Sequence, residues 1–97
     1  MRDYELTIII QPELEEQPRK ELLERIQGWV TPGAAEAESL KVDQWGMREM
    51  AYDIRKFKRG YYVYYEAQID PDRLTDIERN LQFTEDILRY MFVRKEK

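Results

Sequence analysis

Apolar residues recur at every second position near the start of the chain, where Tyr4, Leu6, Ile8 and Ile10 share one parity and Glu5, Thr7 and Ile9 fall between them. A period of two is the pleat of a strand, and it predicts one over Tyr4 to Ile10. After Gln11-Pro12 the spacing changes. From about Glu15 onward, Leu22, Leu23, Ile26, Trp29 and Val30 form a stripe of helical period. Pro18 is tolerated in the first turn, where no intrahelical donor is needed, and Thr31-Pro32-Gly33 stops the helix. A second strand is expected from about Ala37 through Leu40 and Val42. Its apolar phase slips at Asp43-Gln44 beside Gly46, which predicts a bulge before Met47 to Ile54 resume the strand. The basic tip Arg55-Lys56-Phe57-Lys58-Arg59-Gly60 then turns the chain into a third strand, Tyr61 to Ile69. Asp70 is placed to cap a short helix with Pro71 at its first position and Leu74, Ile77 and Leu81 on one face. In a last strand, Leu88, Tyr90 and Phe92 alternate with Arg89, Met91 and Val93.

Strand, helix, strand, strand, helix, strand is the order of the ferredoxin-like βαββαβ fold of the α+β class. Short connections and right-handed crossovers then predict a four-stranded antiparallel sheet with both helices on one face and the first and third strands central. The 97 residues make a single domain, 1–97, with no repeat or linker to divide it. One sheet face is left bare, and function is to be sought there.

Composition narrows the chemistry. The chain has no cysteine and no histidine, which excludes disulfides, thiol chemistry and the Ser-His and Cys-His nucleophile pairs. Its carboxylates lie where helix starts favour them, as Glu13, Glu15 and Glu16 do, and none has the spacing of a calcium loop. The expectation is a protein that is not an enzyme, with no metal, no cofactor and no small-molecule substrate. The opening MRDYELTIII has the pattern of neither a signal peptide nor a membrane span, so no membrane association is expected and a cytoplasmic location is.

Net charge is −4, yet it is unevenly spread. Residues 41–60 hold six bases against three acids, and residues 88–97 hold four against one, so two segments of +3 sit in an acidic chain. Aromatic residues, Tyr52 and Phe57 among them, are interleaved with the first group, as stacking platforms for RNA require. Arg89, Arg94, Lys95 and Lys97 form the second group, and Arg2 adds a further cation. Parity separates the tyrosine run. Tyr61, Val63, Tyr65, Ala67 and Ile69 are assigned to the helix side, and Tyr62 and Tyr64 to the open face with Ile9, Met91 and Val93. Such an apolar patch on an open sheet suits a protein partner, and it also permits self-association when that partner is missing.

The opening Arg2-Asp3-Tyr4-Glu5, the block WGMREMAYDI from Trp45 to Ile54, and the pair Gly60-Tyr61 after a basic turn together resemble the bacterial small-subunit ribosomal protein six family over essentially the whole chain. The resemblance implies a non-enzymatic ribosomal protein of ferredoxin-like fold. It further implies binding to the central domain of small-subunit ribosomal RNA together with ribosomal protein S-eighteen. Arg2, Tyr4, Arg48 and Arg89 are the RNA-facing positions carried over from the family, and Arg55, Lys56, Lys58 and Arg59 are added on charge. Two other readings compete with it. An RNA-recognition motif is partly imitated by Arg59 to Tyr65, but it wants outward aromatics where Tyr61 and Val63 have inward parity. A ferredoxin-like regulator that binds a small metabolite would need a polar pocket at a strand-helix junction.

Overall fold

In the computed structural model, residues 2–33 and 37–95 are described. The elements are β1 (Arg2–Ile10), α1 (Glu16–Val30), β2 (Lys41–Ile54), β3 (Phe57–Ile69), a single 3₁₀ turn (Pro71–Arg73) that leads into α2 (Leu74–Gln82), and β4 (Ile87–Arg94). All ladders are antiparallel and the strand order is β2-β3-β1-β4, so the first and third strands are central as the chain order requires.

Alternation along β1 puts Tyr4, Leu6, Ile8 and Ile10 in the core, and the register hands the same face to Val63, Tyr65, Ala67 and Ile69 of β3. Leu22, Leu23, Ile26 and Val30 of α1 close over them, with Ile77 and Leu81 of α2. Full burial of each such aliphatic side chain is worth about 1.5–3 kcal/mol. The two helices are also tied end to end. Arg73 donates from Nη2 to the Trp29 carbonyl at 2.6 Å and from Nη1 to that of Val30 at 3.4 Å. Its charge thereby meets carbonyls that the last turn of α1 leaves without partners. Asp70 accepts from the Asp72 amide at 3.0 Å with Pro71 behind it, the cap expected from the sequence.

Three boundaries differ from the expectation. Ala37 and Glu38 form a helical turn, and β2 begins at Lys41. The hairpin turn is only Arg55-Lys56, because Ile54 pairs with Phe57, so Phe57 to Gly60 belong to β3. Both turn residues have positive φ, 50° and 70°, which matches the twist of a two-residue hairpin although neither is glycine. Finally, the β1–β4 register shifts between Ile9 and Ile10, and this bulge sends Ile87 into the core while Leu88 is only half-buried. The bulge foreseen in β2 lies between Gln44 and Gly46, whose φ is +85°.

Candidate functional site

The helices leave the other sheet face open, and the register arranges it in rows. Tyr62, Ile9 and Arg89 lie side by side across β3, β1 and β4; Tyr64, Thr7 and Met91 form the next row; Glu66, Glu5 and Val93 form the third. Ile9, Tyr62, Tyr64, Met91 and Val93 are therefore neighbours on one surface, with Met91 58% and Val93 43% exposed. Trp45 joins them. The bulge at Gly46 swings its ring onto Tyr64, parallel within 9° and 5.5 Å between centroids. Its Nε1 donates to Asp43 Oδ2 at 3.0 Å, and the Arg48 guanidinium lies 5.2 Å over the ring. Parity could not assign Trp45 to this face because the bulge interrupts the alternation. The slip in apolar phase was the available signal.

The far row is acidic. Glu5 and Glu66 stand directly opposite one another, an arrangement that repulsion disfavours unless something compensates. Lys95 ion-pairs with Glu66, and this hydrogen-bonded contact lowers the Glu66 carboxyl pKa and raises that of the Lys95 ammonium. The Tyr64 phenol is raised above its ordinary value, first by loss of solvent and then by its bond to Glu5. Beside this row lies an open groove of about 440 Å³, lined by Asp3, Ser39, Lys41, Gln68 and the same ion pair. Its charges are of both signs, and Glu66 and Lys95 among them are paired with one another. Among the described residues no three acidic side chains are grouped to hold a metal.

The basic residues divide between the two ends of the sheet. Arg48, Arg55, Lys56, Lys58 and Arg59 lie on the β2–β3 hairpin, and Arg89 joins them, with its guanidinium 5.2 Å over the exposed ring of Tyr52. Arg2 is at the opposite end of β1, opposite Ile69. At about 3.3 Å per residue it is roughly 26 Å from the hairpin end, near Lys41, Arg94 and Lys95. Lys97 lies outside the described residues. Tyr4 departs from the set expected to face RNA. It is 7% exposed and its ring packs edge-on to Phe92 at 6.4 Å, so it offers no free face for stacking. Arg55 also differs from a free cation, since its Nη1 donates to the Glu85 carbonyl at 2.7 Å. Lys56, Lys58 and Arg59 are exposed and make no ion pair or side-chain hydrogen bond among the described residues.

Residues 3–94 match the model of the family described as Ribosomal protein S6. The chain belongs to that family. The small ribosomal subunit protein bS6 of Halalkalibacterium halodurans is 38% identical over the full length of both chains. The protein of the same name from Moorella thermoacetica is 35% identical over all of this chain and 97% of its own. Among solved structures, 30S ribosomal protein S6 from Thermotoga maritima superposes with a TM-score of 0.87 at 32% identity, covering 97% of this chain and 87% of that one. The C-terminal domain of the MgtC protein from Mycobacterium tuberculosis, at 14% identity and a TM-score of 0.50, shares the fold alone. As a member of the S6 family the chain is a ribosomal protein of the small subunit, at work on the ribosome in the cytoplasm. The placement expected from parity for the RNA-recognition comparison is seen here: Val63 is buried and Tyr61 packs on the helix side under Arg19, 4.1 Å from its ring.

Proposed function

We propose that this S6-family protein is a non-catalytic constituent of the small subunit that binds small-subunit ribosomal RNA through its cationic hairpin end and ribosomal protein S-eighteen through its open sheet face. What supports this reading is the adjacency of two unlike surfaces. An apolar patch of Ile9, Tyr62, Tyr64, Met91, Val93 and Trp45 borders directly on Arg89 and the hairpin bases. Phosphates need fixed cations, and Lys56, Lys58 and Arg59 hold theirs exposed. The apolar rows suit a protein surface, and the carboxylates of Glu5 and Glu66 at their border favour a basic one.

RNA affinity should fall steeply as salt rises. Reversing charge with Lys58→Glu and Arg59→Glu is expected to lower the slope of log affinity against log salt by about 0.7–0.9 for each phosphate no longer neutralised. A slope that does not move would remove the hairpin from the RNA surface. For the other face, Tyr62→Ser with Met91→Ser is expected to abolish co-purification with S-eighteen while RNA binding retains its salt slope. Unchanged co-purification would make the patch a bystander.

A further inference from the structure

We propose that Arg55 is a positioning residue, a clasp that holds the hairpin over the α2–β4 connection and so fixes the direction in which Lys56, Lys58 and Arg59 present their charges. The proposal rests on the RNA reading above and says how the hairpin achieves it. The distal hairpin has little backbone of its own to hold it. Beyond Glu49 paired with Arg59 the ladder loses register, and the remaining pair is Ile54 with Phe57 at the turn. The arm also begins at a bulge, between Gln44 and Gly46. A two-stranded ribbon with so few pairs is marginally stable in water.

What holds it comes from outside the hairpin. The Arg55 guanidinium reaches across 30 residues of sequence to the Glu85 carbonyl at 2.7 Å, over a groove of about 270 Å³ formed by Leu81, Gln82, Ile87, Leu88 and Tyr90. A second contact on the same side is made by Arg89 from β4, stacked 5.2 Å over Tyr52. Arg55 thus differs from its neighbours: at the surface its guanidinium is bonded to a carbonyl, and theirs make no such bond among the described residues. The arginine fork can aim a directed N–H bond at that distance, whereas the ammonium of lysine is a compact, hydrated charge on a flexible stem.

The experiment compares Arg55→Ala and Arg55→Lys with the wild-type protein in two measurements. In the isolated protein, amide hydrogen exchange of residues 48–60 is expected to speed up by about tenfold or more in both variants, while the core amides of β1 keep their protection. In RNA binding, affinity is expected to fall in both variants with the wild-type salt slope retained, because the same phosphates are still neutralised. Unchanged exchange in the arm would overturn the clasp. A slope reduced by about 0.7–0.9 in Arg55→Ala and restored in Arg55→Lys would overturn it too, since Arg55 would then be an ordinary phosphate ligand. If the wild-type protein bound no RNA in a salt-dependent way, the RNA reading and the positioning role would fall together, and the exchange data would still decide whether the clasp exists.

Discussion

Gly60 sits where β3 passes beside Ile9, and a Cβ added there would run into Ile9 Cγ2, with Met50 Sδ close behind. The β-branched methyl is fixed at χ1 and cannot swing away. Gly60→Ala should therefore destabilise the protein by about 1–3 kcal/mol, read as a lower urea midpoint. In the sequence Gly60 looked like a turn glycine after a basic run; its actual reason, a close approach between strands, depends on a register that sequence does not display. Tyr65 is the opposite case. It is fully buried, as parity predicts, and its hydroxyl has no hydrogen-bond partner among the described residues. Tyr65→Phe should leave stability unchanged or raise it by up to about 1 kcal/mol, since an unpaired buried hydroxyl only carries a desolvation penalty. Burial also raises the Tyr65 phenol above its ordinary value of 10.0. The unfolded chain releases that proton near pH 10 and the folded protein retains it. Stability is therefore full below about pH 10 and falls as pH rises beyond it, a loss that denaturation titrations should find reduced in Tyr65→Phe.

Among the elements, those with an uninterrupted period were legible. β1, α1 and the inner half of β3 follow from alternation and helical spacing, and Asp70-Pro71 announced the start of the second helix. What was not legible sits at breaks in the pattern. The bulge at Leu88 in β4 puts Ile87 in the core in place of Leu88, and the bulge at Gly46 brings Trp45 onto Tyr64. Each inserts one residue and reverses parity locally, so a correct rule gives the wrong face. The hairpin turn escaped for another reason. Turn chemistry leads one to expect asparagine or glycine at positive φ, and Arg55-Lys56 supplies neither. Lys56→Gly, which leaves the Arg55 clasp in place, should relieve strain at φ 70° and raise stability by about 1 kcal/mol, measured by thermal or urea unfolding.

For the whole molecule, the sequence conveyed that the chain carries cationic segments and an open apolar face, but not that the cations lie at opposite ends of the sheet. Arg2 and Arg89 are both basic and both tied to β1 by register, yet the first is opposite Ile69 and the second opposite Ile9. Distance across a sheet depends on which residues pair, and pairing is invisible until the fold is assembled. The central place of β1 has a further consequence, in the time order of synthesis. β1 precedes both of its neighbours in the chain, which run from Tyr61 to Ile69 on one side and from Ile87 to Arg94 on the other. A nascent chain must carry a strand with apolar residues on both faces until residues 61–69 cover one edge, and the second edge stays uncovered until β4 is made. A chain ended after Asp86 should accordingly lose the native circular-dichroism spectrum and aggregate. The sheet therefore closes only once β4 has emerged, with the domain folding as a unit and not in stages from β1.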